Sequence, residues 1–198
     1  MLTHKGTVTL TTKRLILRRL TIDDVPAMFR DYATDGKMTK YLTWEPYTDM
    51  EKLREFVEKR VADYENIMYY HWAVTMGGEF IGTINLHAIF DEAERCEMGY
   101  CIGSKWWNKG VMTEAAAEVI RFAFEELNAN KVSASHDTQN AASGAVMRKN
   151  GMKQEGLLRE HSMRKDGTRG DMACYAILRS EWEKIKNKKY EYLPLREN

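Results

Sequence analysis

At 198 residues and 23.0 kDa the chain is long enough to bury a substantial core in one domain. Its 30 Lys and Arg against 29 Asp and Glu leave a formal net charge of +1, a balance that argues against a nucleic-acid backbone as partner, because such binding normally shows as a basic excess or patch. Neither an early apolar stretch of signal-peptide type nor a run of 18 apolar residues is present, so secretion and membrane insertion are not expected and the cytoplasm is the expected compartment.

Residues 1–9 carry no periodic signal and are expected to fray. Alternation through Arg14-Leu15-Ile16-Leu17-Arg18 predicts a first strand. Thr21-Ile22-Asp23-Asp24 opens a predicted helix that ends at Asp35-Gly36, with Pro26 tolerated in its first turn. Met38 to Tyr47 is aromatic-rich, closed by Pro46, and reads as a loop. Thr48-x-x-Glu51 is a capping-box pattern before an amphipathic stripe, Leu53, Phe56, Val57, Val61 and Tyr64, and predicts a helix over about 49–66. Apolar runs at 70–75 and 80–86 flank Met76-Gly77-Gly78-Glu79, a hairpin signal. His71 and His87, lying in these strands, read as packed or surface residues.

A third strand at Arg95–Ile102 follows the polar, acidic segment 88–95 and leads into a loop containing Gly103 and Gly110. Ala116, Val119, Ile120, Ala123 and Leu127 then keep helical spacing, predicting a long helix over about 113–127. Beyond it come a strand at Lys131–His136, a helix at Ala141–Asn150 stopped by Gly151, a strand at Gln154–Arg164, a turn at Asp166-Gly167, and a last strand at Met172–Arg179. Ser180-Glu181-Trp182-Glu183 opens a final helix that runs through the Lys-rich 184–189 into a polar tail. Cys96, Cys101 and Cys174 fall in predicted strands without metal-ligand spacing, so they read as small buried hydrophobes, and no metal site is expected.

The stretch Trp107-Asn108-Lys109-Gly110-Val111-Met112-Thr113 joins a strand to a helix start. A loop of this kind presents backbone N–H groups beside the orphan donors and positive dipole end of the helix, which makes an anion cradle. A second helix start, at Asn140-Ala141-Ala142-Ser143, lies one strand later. The order strand, Trp-Asn-Lys-Gly-Val-Met-Thr-Glu-Ala, long helix, strand, Asn-x-x-Ser, short helix, Asn150-Gly151-Met152 resembles the core of the Gcn5-related N-acetyltransferases. Thr12-Lys13-Arg14-Leu15-Ile16-Leu17-Arg18, Ile81-Gly82-Thr83-Ile84 and Asp171…Tyr175…Trp182 resemble, more narrowly, the branch containing the ribosomal-protein N-terminal acetyltransferases. The resemblance covers about residues 10–183.

That resemblance implies a mixed α/β fold, a twisted and mostly antiparallel sheet with helices on both faces, splayed between its fourth and fifth strands with acetyl-CoA in the wedge. It implies that Asn108, Lys109, Gly110, Val111, Met112 and Thr113 face the pyrophosphate, that Tyr100, Cys101 and Ile102 pair with the pantetheine arm, and that Asn140 contacts the same arm. Trp107 and Met112 stand at the two ends of the superfamily's Gln/Arg-x-x-Gly-x-Gly/Ala pattern, a departure that backbone donation survives. Gly144 and Met152 replace a usual larger residue and an aromatic. Ser143 is the candidate proton donor to the leaving thiolate, and Glu97 the candidate base, acting directly or through water; the alternatives are a first-turn hydrogen bond and a surface carboxylate. Tyr41, Trp44 and Tyr175 are candidates for the acceptor pocket, with core packing as the alternative.

The expected activity is direct transfer of acetyl to an amine. The leading acceptor is a protein N-terminus, as in ribosomal-protein acetylation; a small amine (polyamine, amino acid or antibiotic) and a non-catalytic acyl-CoA-binding module are the alternatives. Self-association into a homo-oligomer, which several relatives show, stays open.

Overall fold

A computed structural model describes residues 1–189; the expected polar tail, 190–198, lies outside the described residues. Eight strands form one sheet: β1 (Leu10–Thr11), β2 (Leu15–Arg18), β3 (Tyr70–Met76), β4 (Glu79–Phe90), β5 (Arg95–Ile102), β6 (Lys131–Asp137), β7 (Lys153–Met163) and β8 (Arg169–Leu178). Their order is β1-β2-β3-β4-β5-β6-β8-β7. Every neighbouring pair is antiparallel except β5 and β6, which run parallel.

Helices cover both faces. Residues 111–125 form α4 (Val111–Glu125), which is buried nearly all round, as its Ala-rich and apolar sequence requires. It lies against Leu15, Leu17, Trp72, Ile84 and Met98 of the sheet, with the Trp72 and Phe122 rings edge to face at 5.5 Å. The opposite face is covered by α1 (Val25–Met28) and α3 (Met50–Asp63), whose Val25, Met28, Leu53 and Val57 bury Ala73 and Phe80. Burial on both sides explains why β3 reads as a continuous apolar run and not as an alternation. No helix among the described residues is long and apolar enough to cross a membrane.

Three expectations are corrected. Residues 1–9 do not fray: Leu2 is buried, the Thr3 N–H donates to the Leu127 carbonyl at 2.8 Å, and His4 sits between the Tyr70 hydroxyl at 3.0 Å and Asp91 at 2.9 Å. These ties are all tertiary, so no local pattern announces them. The helix expected from Thr21 to Gly36 is interrupted, passing from a 3-10 turn (Ile22–Asp24) through α1 to a π turn (Phe29–Ala33). A further short helix, α2 (Gly36–Thr39), follows, with Asp35 capping the N–H groups of Lys37 and Met38.

Only three residue pairs join β5 to β6, the last being Glu97 with Ser133. Past that point β5 continues to Ile102 and β6 to Asp137, and the two diverge. This is the expected splay between the fourth and fifth strands, counted from β2.

Candidate active site

The loop after β5 makes a 3-10 turn (Ser104–Trp106) and then two left-handed residues, Asn108 at φ 60° and Gly110 at φ 71°. Asn and Gly are the residue types that take this conformation at least cost. Gly110 is the N-cap of α4, so the helix starts at Val111, two residues before Thr113. No side chain caps it. The N–H groups of Asn108 through Thr113 have no acceptor among the described residues, which leaves an unfilled cradle of donors at the positive end of a buried helix. The Lys109 ammonium lies over the Trp106 ring, 4.7 Å from its centroid. From below, Glu114 is buried and accepts hydrogen bonds from the Thr12 hydroxyl at 2.6 Å, the Arg14 N–H at 3.0 Å and the Arg14 Nε at 2.6 Å.

Along β5 the backbone alternates. The Gly103 N–H donates to Ile81 of β4 at 3.1 Å, so the peptide groups of Cys101, Gly99 and Glu97 also face β4, while those of Met98, Tyr100 and Ile102 face outward into the wedge. The Trp107 indole N–H takes the Ile102 carbonyl at 3.1 Å. Of the expected trio, Tyr100 therefore keeps both peptide groups open toward the wedge and Ile102 its N–H, while Cys101 faces β4; Met98, which sequence reasoning missed, joins them. Register is the reason: the splay begins at Glu97, and only alternate residues face outward.

Across the wedge stands α5 (Ala141–Lys149), capped by Asn140, whose side-chain oxygen accepts the Ser143 N–H at 3.3 Å. The Tyr100 hydroxyl donates to the Ser143 carbonyl at 2.9 Å and accepts from the Ser143 hydroxyl at 3.1 Å. Burial pushes the Tyr100 phenol far above its ordinary range, with the Ser143 hydrogen bond pulling back only part of the way. Gly144, the unexpected small residue, has a packing partner: a Cβ there would stand 2.5 Å from Nε2 of His136.

A cavity of about 680 Å³ opens on the side of β5 away from α4. Its walls bring together Glu97, Tyr100, Cys101, Asn140 and Ser143 with Tyr41 and Trp44. Glu97 sits at the apex of the splay, where its carboxylate accepts from the Ser135 hydroxyl at 3.1 Å. Ile102, the loop 108–113 and Tyr175 do not line this cavity. The Tyr175 phenol is instead held by Arg148 at 3.2 Å and Gln154 at 3.3 Å, with its ring against His136.

Sequence reasoning missed the far wall. Arg164 pairs with buried Asp137 at 2.7 Å. Burial works to raise that carboxyl, but Arg164 and the Gln139 N–H outweigh it and hold it below the ordinary carboxylate range. Lys165 crosses to the Trp44 carbonyl at 2.6 Å and to Glu45 at 3.2 Å, and the Tyr41 hydroxyl reaches the Gln139 carbonyl at 3.3 Å. These bonds tie the 40–47 loop over the cavity. Residues about 120 positions apart meet here, and nothing local in the sequence signals the meeting.

Residues 14–153 match the acetyltransferase (GNAT) domain family. The chain is 31% identical over 172 residues to the uncharacterized N-acetyltransferase YoaA of Bacillus subtilis, covering 86% of this chain and 96% of that one. It is 26% identical over 188 residues to the [ribosomal protein uS5]-alanine N-acetyltransferase of Escherichia coli, covering 88% and 93%. The crystal structure of a GNAT-family acetyltransferase from Bacillus anthracis superposes with a TM-score of 0.76 at 28% identity, covering 88% of this chain and 100% of that one. With a family match over most of its length and the same fold as solved members, the chain belongs to the GNAT family and is an N-acetyltransferase that uses acetyl-CoA.

Proposed function

We propose that the acceptor is the N-terminal amine of a protein, with a ribosomal protein the first candidate, and that the reaction takes place in the cytoplasm. One observation carries this reading: the cavity beside Glu97 is wide and walled by aromatic rings, including Tyr41, Trp44 and Tyr47, and is not strongly acidic. Its lining carboxylates are Glu97 and Asp137, and the second is already matched by Arg164. A polyamine site would need several unmatched carboxylates. A peptide suits rings that bury area at low entropic cost. The ribosomal-protein activity of the E. coli relative supports the same choice.

Acetyl-CoA supplies the acetyl group as a thioester. Its phosphates fit the cradle at Asn108–Thr113, where donors without acceptors meet a helix dipole and Gly110 leaves room for close approach. The open peptide groups of Met98 and Tyr100 would hold the pantetheine arm as a short added strand. We assign Glu97 the task of taking a proton from the incoming ammonium, directly or through one water, so that the nitrogen lone pair is free to attack. We assign Ser143 the proton that neutralises the departing sulfur. The Ser143 hydroxyl is oriented by Tyr100, and the Asn140 cap fixes its backbone. Direct attack needs no nucleophile on the enzyme.

A second reading, a small amine, draws on the bonds from Lys165 to Trp44 and from Tyr41 to Gln139, which narrow the rim. A thiol-release assay decides between the two, comparing peptides that begin with Ala or Ser from ribosomal proteins against spermidine, amino acids and aminoglycosides. Peptide turnover at least tenfold above every small amine is the expected result. Turnover confined to a small amine would sink the N-terminal reading.

A further inference from the structure

Arg14 precedes β2 and stands 95 positions before Lys109 of the cofactor loop, yet its side chain finishes there. Its Nε donates to Glu114 at 2.6 Å and its Nη1 to the Lys109 carbonyl at 3.1 Å. Lys109 lies between the two left-handed residues Asn108 and Gly110, and Glu114 lies in the first turn of α4, where its own N–H bonds to the Gly110 carbonyl at 3.1 Å. One guanidinium therefore grips the loop at its crest and the helix at its first turn.

We propose that Arg14 is a positioning residue for the phosphates of acetyl-CoA, setting the curve of the 108–113 loop and masking the charge of Glu114. The inference rests on the reading of that loop as the phosphate cradle. Two physical arguments support it. First, a planar fork bonded to a carboxylate on one arm and a carbonyl on the other fixes distance and angle together, which a lysine cannot do. Second, Glu114 is 2% exposed and stands at the start of the helix whose N–H groups would hold an anion. Unmasked, its charge would oppose a phosphate at short range through a poorly screening medium. Arg14 cancels that charge and places Nη2, which has no protein acceptor among the described residues, 3.7 Å from where a Gly110 Cβ would stand. Thr12 and the Arg14 backbone complete the carboxylate's hydrogen bonds, so Glu114 has no freedom to turn away.

The test compares two acetyl donors, acetyl-CoA and S-acetylpantetheine, which lacks the nucleotide phosphates. Arg14→Met is expected to raise KM for acetyl-CoA on the order of tenfold, the scale of losing charged hydrogen bonds, with kcat and the use of S-acetylpantetheine held within about twofold. The double variant R14M/E114Q leaves no buried charge unpaired, so it serves if the single variant folds poorly; it should still show a selective loss with acetyl-CoA, smaller than that of Arg14→Met because the charge that needed masking is gone. Arg14→Lys should fail to restore the wild-type KM. Equal losses with both donors, or an unchanged KM for acetyl-CoA, would overturn the proposal. Gly110→Val separates the two levels: if it reduces acetyl-CoA use selectively while the Arg14 variants do not, the cradle stands and the role of Arg14 falls; if it leaves the preference between donors intact, the cradle reading falls and takes the proposal with it.

Discussion

The Tyr100 phenol is bonded twice to one residue across the wedge, accepting from the Ser143 hydroxyl at 3.1 Å and donating to the Ser143 carbonyl at 2.9 Å. The hydroxyl proposed to protonate the leaving sulfur is thus aimed by β5, the strand that would hold the donor. Ser143→Ala should lower kcat by about 10²-fold, the lower range for loss of a general acid. Tyr100→Phe should lower it less, by about tenfold, because the serine loses its orientation and not its proton. Groups that act as one unit are not additive, so the double variant should resemble S143A in steady-state kinetics. Additive losses would separate the two roles.

Glu97 supports a different half of the reaction. Glu97→Gln keeps the shape and can still accept from Ser135, but it cannot take a proton. The expected result is a drop of about 10²-fold in kcat/KM for the amine, while calorimetric affinity for acetyl-CoA stays at the wild-type value. Retention of activity would move the base to another group or to water.

Gly144 and His136 fit as a pair. A Cβ on residue 144 would meet His136 Nε2 at 2.5 Å and Arg148 Nη1 at 2.9 Å, and the imidazole is buried and fixed by its Nδ1 contact with the Asp137 carbonyl at 2.8 Å. Ala gains about 1 kcal/mol in helix propensity over Gly, but overpacking costs about 1–3 kcal/mol. Gly144→Ala is therefore expected to destabilise the fold by about 1 kcal/mol in urea melts, and G144A/H136A to recover part of the loss.

The pair of Asp137 and Arg164 sets a pH dependence. A carboxyl depressed in the folded state contributes stability above its unfolded value and loses it as pH falls through the folded value. Since Asp137 lies below the ordinary range, Asp137→Asn should lower Tm at pH 7. The gap to wild type should then close as pH falls below about 4, the ordinary carboxylate value. A gap independent of pH would mean that the charge of Asp137 is not what the substitution removes from stability.

Much of this architecture was legible because it is written locally. The Gly77-Gly78 hairpin, the apolar period of α4 and the Asn140 cap each announce themselves within a few residues, and the candidates Ser143 and Glu97 stand on elements of this kind, a capped helix start and a strand. What could not be read is what long-range contact decides. Leu2 and His4 are held by residues far away in sequence. Lys165 meets Trp44 through the closure of the sheet. The outward set at Met98, Tyr100 and Ile102, without Cys101, depends on a register that pattern alone does not fix. The start of α4 was misread because Thr113 looks like a cap, whereas a left-handed glycine does the work three residues earlier.

Three residue pairs are all that stitch β5 to β6, so the sheet is nearly two sheets sharing a short seam. A molecule laid along the open part of that seam would supply some of the hydrogen bonds that the protein leaves unmade. Substrate and mortar become the same object: at a free concentration a hundred times its Kd, a ligand bound only by the folded state adds about 2.7 kcal/mol to stability. The fraction of this enzyme that survives heat, proteolysis or mutation would then follow the supply of its own acyl donor, linking the metabolic state of the cell to how long each copy lasts.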